Sequence, residues 1–240
     1  MKENDMKDIR QELAKLESSL KSDYFAMERD TYSVIIGTMQ GNTARAYRKE
    51  GDKQGCYLKY TPTSIFRNWL HYHYLHDAAT LKLLETGTDF KEIHCAAVEG
   101  LERFWKKNEP KVTGLRYFHF SKLIDLLFKS ITRWNKLSKD RQEWFYNNAH
   151  VPLDKYSLLA LLEYAPKETV TALHLKKNPS MGDVTDEKHY WEIQTAIKSL
   201  IGDFPLMLFD LFAWNHLRIK NRDVDDSFEL VEVKVLKTAM

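Results

Sequence analysis

Nine glycines and six prolines in 240 residues are about half the usual share for a globular chain. So few breakers leave little turn chemistry for an all-β sandwich or barrel, and they leave long stretches free for helices. The apolar spacing agrees. Met6, Ile9, Leu13, Leu16 and Leu20 recur at steps of three and four, which predicts an amphipathic helix over 5–22. Thr63 or Ser64 can cap a helix running to about residue 86. Asp89 can cap another, with Ile93, Ala97, Leu101 and Phe104 on one face, ending near Asn108-Glu109-Pro110. Further helices are expected from Arg116 or Ser121 to Arg133, over 139–148, from Asp154 to Tyr164, and over 166–174, 186–201 and 204–220. Residues 31–60 are less clear: TYSVIIGTM looks strand-like and GCYLKY is short and apolar. The tail SFELVEVKVLK alternates, as a strand or a short last helix would.

Composition narrows the class. Hydrophobic residues at 43% and charged residues at 29% exclude a disordered chain, and the length is ample for a core. Two cysteines, Cys56 and Cys95, exclude a disulfide scaffold and a Cys-rich zinc module, so both are expected as reduced thiols. The start MKENDMKDIR is too polar for a signal peptide, and no apolar run reaches the roughly 18 residues a membrane helix needs. A cytoplasmic monomer without a membrane partner is the expectation. The fold expected is mostly α, one compact or bilobed unit: a helical or irregular segment over 1–89, a core over 90–222 and a tail over 223–240.

The net charge of +2 hides an uneven distribution. Residues 111–150 carry eight basic and three acidic side chains, interleaved with Tyr117, Phe118, Phe120, Trp134, Trp144 and Phe145. Cations that neutralise phosphates, mixed with rings that stack on bases, suit a nucleic-acid surface; a solvated helix face reads the same way.

Three constellations carry chemistry. In GLRYFHFSK, residues 114–122, a loop with glycine leads into an apolar helix with Lys122 near its start. A helix N-terminus and partial burial disfavour an ammonium, which is how a nucleophilic amine is made. In HVPLDKYSL, residues 150–158, Asp154 follows a rigid V-P-L turn at a helix start, so its carboxylate can cap the helix and also face a pocket. In FPLMLFDLFAWNHL, residues 204–217, Asp210 and Trp214 share one face of an apolar helix. A lone acid there needs a partner, whether a buried base, a ligand or a helix end. Each group also has a plain structural role: helix lysine, cap, and ion pair beside a core tryptophan. His71, His73 and His76 in WLHYHYLHD lack the convergence of a metal site and read as aromatic packing; neither a metal nor a cofactor is expected.

The order of these motifs, a helix, a loop with glycine, a helix carrying Lys122, a V-P-x-D turn with Asp154 and a late D-x-x-x-W, resembles the helix-hairpin-helix DNA glycosylases. It is most similar to the archaeal 8-oxoguanine glycosylase branch and to related bacterial phage-defence enzymes that act on hypermodified bases. The resemblance covers about 90–220, and Gly114-Leu115-Arg116 stands where a glycine-rich hairpin of L-P-G-V-G type would be. It implies a helix-hairpin-helix core that extrudes a modified base from DNA and cleaves its glycosidic bond, with or without lyase activity through a lysine Schiff base. In these terms Lys122 and Asp154 are catalytic. Asp210 and Trp214 contact the flipped base. Phe128 is a candidate for the other side of the base, because Leu126 occupies the position four after Lys122. Gly114, Arg116, Lys129 and Arg133 are expected on the DNA backbone. A non-catalytic helical module that binds nucleic acid or protein is the alternative.

Overall fold

A computed structural model describes residues 9–38, 41–56 and 58–222. The described chain is helical, with no strand: α1 (Ile9–Ala26), α2 (Thr31–Thr38), α3 (Gly41–Lys53), α4 (Pro62–Trp69), α5 (Ala78–Thr86), α6 (Phe90–Asn108), α7 (Tyr117–Ile131), α8 (Lys139–Asn148), α9 (Lys155–Tyr164), α10 (Lys167–Ala172), α11 (Glu187–Ile201) and α12 (Leu206–Arg222). No helix among the described residues is long and apolar enough to cross a membrane.

Local chemistry sets most boundaries. Asp77, Asp89, Ser138, Asp154 and Asp186 each cap a helix by accepting a backbone N–H in the first turn. Such a cap contributes about 1 kcal/mol. Gly202 ends α11 with a positive φ of 67°, a conformation that suits a residue without a Cβ.

Two expectations are corrected. TYSVIIGT forms α2, not a strand. Its β-branched residues give a strand-like reading, but burial of Val34 and Ile35 against the core selects the helix. The single helix expected from residue 63 to 86 is broken: α4 runs into a π-helical turn over Leu70–Tyr74, and Asp77 starts α5 afresh. Within that turn His73 packs its ring on Phe104, at 4.8 Å between centroids, and His71 packs on His76. The tail over 223–240 and the start of the first predicted helix lie outside the described residues.

The core divides, but not at residue 89. One apolar cluster joins α2 to α8, with Phe66, Trp69, Ile93, Leu101, Leu127 and Phe145 at its centre. The other joins α1, α9, α11 and α12, with Leu13, Leu158, Tyr190, Ile197 and Phe209. Helix α6 therefore shares its core with α4 and α5, and α1 crosses to the far cluster, packing on α11 and α12. The two clusters meet along α7 and α12.

Helix α7 is buried almost all round, as befits a central helix. Leu123, Ile124, Leu127, Phe128 and Ile131 are fully buried. Truncation of one, such as Leu127→Ala, costs about 2–5 kcal/mol. Past its first residue, Tyr117, only a narrow stripe stays partly open, at Lys122, Leu126 and Lys129. Those three positions fall on one face at helical spacing, and that face borders a cavity.

Candidate active site

The cavity has a volume of about 390 Å³, within the usual range for small-molecule sites. Helix α7 supplies Lys122, Leu126 and Lys129, with Arg133 just past its end; the α9 start supplies Asp154 and Tyr156; α12 supplies Asp210 and Trp214. Arg29, Gly37 and Thr43, from the first part of the chain, form another stretch of wall, and Ser130, Lys155 and Met181 complete the lining.

Asp154 does both things its position allows. Oδ1 accepts the N–H groups of Tyr156 at 2.9 Å and Ser157 at 3.2 Å, which caps α9. Oδ2 is left to meet Lys122 Nζ at 3.1 Å. The same ammonium donates to the Leu153 carbonyl at 3.4 Å, and both side chains are mostly buried. The segment before Asp154 is held rigidly. Val151 is fully buried, and its N–H and C=O are both bonded by the Gln194 amide, at 3.1 and 2.7 Å. Ser157 Oγ donates to the Pro152 carbonyl. The Lys122–Asp154 geometry thus rests on α7, α9 and α11 together.

Asp210 finds its partner in Lys129, whose ammonium donates to Asp210 Oδ2. Asp210 is buried and its Oδ1 has no hydrogen-bond partner. Burial raises the Asp210 carboxyl above its ordinary range; the Lys129 charge opposes this and the Asp154 charge adds to it. Burial also works against the Lys129 ammonium, but the Asp210 carboxylate and Tyr24 outweigh it, so Lys129 is raised. One turn along α12, Trp214 packs against Tyr156, with ring centroids 5.0 Å apart and a tilt of 54°. Tyr156 is a site residue that the sequence reading missed; its place in the first turn after Asp154 was the available signal.

The site residues do not all lie where expected. Phe128 does not reach the cavity. It is fully buried, stacked on Phe145 at 5.6 Å and packed on Phe90 at 5.1 Å. Six residues beyond Lys122 is about 240° around a helix of 3.6 residues per turn, so Phe128 points into the core. Lys129 and Arg133, expected on the outer DNA-facing surface, instead line the cavity. Lys129 is committed to Asp210, and Arg133 is only 7% exposed with its guanidinium 4.4 Å from the Tyr24 ring centre. Gly114 and Arg116 lie outside the cavity lining, in the loop leading to α7. That loop is tied to the end of α3 through Gln54, whose amide oxygen accepts the Thr113 N–H. Arg116 is exposed, with its guanidinium over the Phe118 ring.

A second polar cluster lies on another side of α7. His94 (α6), Asp125 (α7) and His150, before α9, bring ligand-type atoms within 4.8 Å of one another, all fully or nearly buried. Their geometry could hold a metal ion, but the Tyr190 hydroxyl already bridges them. It donates to Asp125 Oδ1 at 2.7 Å and lies 3.1 Å from His94 Nε2 and 3.0 Å from His150 Nδ1. Burial raises the Asp125 carboxyl, an effect that hydrogen bonding to His94 opposes, and burial holds His150 well below its ordinary value. Neither histidine was singled out for such a role from sequence, since their partners lie on four separate elements.

Comparison of the chain with protein-family models, with curated proteins and with solved structures returns no match.

Proposed function

We propose that the chain is a DNA glycosylase that accepts an extruded, modified base and cleaves its glycosidic bond. The observation that carries this reading is one cavity in which the Lys122–Asp154 pair, at 3.1 Å, shares its walls with the buried Asp210 carboxylate and the Trp214–Tyr156 aromatic pair. A base inside a duplex is out of reach of any enzyme group, so chemistry on it needs extrusion into such a pocket. Trp214 and Tyr156 offer π-faces for stacking. Asp210 Oδ1, buried without a partner, offers an acceptor for a base N–H. Lys129 holds the other oxygen and so fixes the carboxylate's orientation.

Cleavage builds positive charge on the sugar, which a nearby carboxylate stabilises. Asp154 would do that, and would take a proton from the Lys122 ammonium beside it so that the amine can attack. If the Lys122 amine forms the new bond to the sugar carbon, the base leaves with the bonding pair and takes up a proton. The sugar ring then opens: the bond from that carbon to the ring oxygen breaks, the oxygen takes up a proton, and the nitrogen lone pair forms the Schiff base that allows strand cleavage. If water attacks, Asp154 takes the water's proton and Lys122 serves as a fixed charge. Neighbouring phosphates would rest on basic side chains outside the cavity, Arg116 among them.

The test incubates the protein with unmodified DNA, DNA containing 8-oxoguanine, and phage DNA with glycosylated or hydroxymethylated cytosines, with borohydride added to half of each. Abasic sites with a trapped covalent adduct support a lysine nucleophile. Abasic sites without an adduct support the hydrolytic branch. No product on any DNA would leave the non-catalytic binding module as the better reading.

A further inference from the structure

One end of the cavity carries two guanidinium groups that no described carboxylate neutralises. Arg29 and Arg133 are fastened side by side through their backbones. The Arg29 N–H donates to the Arg133 carbonyl at 2.8 Å, and the Arg29 carbonyl accepts the Asn135 N–H at 2.9 Å. Both side chains line the cavity, and Arg133 Nε, buried, has no hydrogen-bond partner. Gly37 on α2 makes the room: a Cβ there would come within 2.3 Å of Arg29 Nη1. Burial, and the neighbouring Arg133 charge, pull Arg29 below its ordinary value. Two neighbouring guanidiniums without a described carboxylate partner repel one another, and an oxyanion between them would offset that repulsion with charge-assisted hydrogen bonds.

Their place along α7 says which part of a ligand they would meet. At 1.5 Å per residue, Lys129 lies about 10 Å along the helix from Lys122, and Arg133 is one further turn on. Lys122 and Asp154 mark the sugar end of the cavity; Lys129, Asp210 and Trp214 mark the base; the arginine pair lies beyond the base. We infer that Arg29 and Arg133 form an oxyanion subsite at the end of the cavity distant from the sugar, which takes an anionic substituent carried by the base. That placement rests on the glycosylase reading, whereas the anion site does not. A backbone phosphate is the other source of the same chemistry.

Titration calorimetry on the full chain separates these cases. Inorganic phosphate should bind the wild type and bind Arg29→Ala about tenfold more weakly or worse, with Gly37→Ala weakened in the same direction. Both variants avoid the buried Arg133, whose removal could unfold the protein. Next, 2′-deoxycytidine, 5-carboxy-2′-deoxycytidine and 2′-deoxycytidine 5′-monophosphate are compared. The carboxyl on the base should improve affinity about tenfold over the plain nucleoside, and Arg29→Ala should erase that gain. No phosphate binding, or equal binding by wild type and Arg29→Ala, overturns the anion site. A gain with the monophosphate and none with the carboxylated base overturns the base-substituent assignment. Phosphate binding that survives in a protein releasing no base from any DNA would sink the glycosylase reading and leave the anion site standing.

Discussion

Helix α7 carries a polar cluster on each of two faces, and the two are built on opposite terms. At the closed cluster, His94, Asp125, His150 and Tyr190 are all at most 9% exposed, and one hydroxyl links the other three groups. At the open one, Lys122, Lys129, Arg29 and Arg133 outnumber Asp154 and Asp210, and a cavity of about 390 Å³ separates the walls. Buried polar groups bonded to one another fix helices in place. Polar groups left with spare charge, as the arginines are, or spare acceptors, as Asp210 Oδ1 is, are arranged for something that arrives from outside. The closed cluster also has orphans, His94 Nδ1 and Asp125 Oδ2, but neither residue lines the cavity of the open cluster. The closed cluster is built for stability, and the open one is the proposed ligand site.

The sharpest way to break that division is Asp154→Asn. Asparagine keeps an oxygen for the α9 cap, so the fold should survive, while on the proposed glycosylase reading base release falls by about 10²–10⁴-fold. Unchanged turnover on a good substrate would remove Asp154 from the chemistry. Next in size is a pH effect at His119, in the first turn of α7, which supports both clusters. Burial pulls His119 down to about 4, against 6.5 for an ordinary histidine. The unfolded chain therefore takes up this proton between pH 6.5 and 4 while the folded chain does not. The stability from His119 is present above pH 6.5 and is lost as pH falls towards 4, by up to about 3 kcal/mol. Urea midpoints across this range should drop, and His119→Asn should flatten the slope.

Tyr190→Phe probes the closed cluster alone. It removes the bridging hydroxyl and should cost about 1–3 kcal/mol in urea unfolding, with base release by the folded protein unchanged. A large loss of turnover in a fully folded variant would merge the two clusters into one machine. The smallest effect is expected from Arg116→Ala. It should weaken DNA binding a few-fold and lower the salt dependence by about one counterion, leaving cleavage of bound DNA alone. Binding that ignores salt in the wild type would argue against a phosphate-tracking surface.

Much of the local structure was legible in the residues. Asp89, Asp154 and Asp186 begin helices because a carboxylate before an apolar run satisfies N–H groups that the helix leaves open. The Asp210–Trp214 face was readable from the helical repeat. The failures have one source. TYSVIIGT reads as a strand by composition, and only its packing made it a helix. Phe128 read as accessible because its burial depends on Phe90 and Phe145, which lie on other helices.

By itself, then, the sequence determined a helical chain, most of its helix starts, and the presence of acids in apolar segments that needed partners. These follow from interactions within a turn or two of the backbone. Tertiary structure alone decided which partners met: Lys122 with the Leu153 carbonyl across 31 residues and with Asp154 beside it, Lys129 with Asp210 across 81, and Arg29 beside Arg133. Those pairings depend on how two apolar cores seat α7 between them, and close packing of distant side chains is a property of the whole fold, which no local pattern encodes.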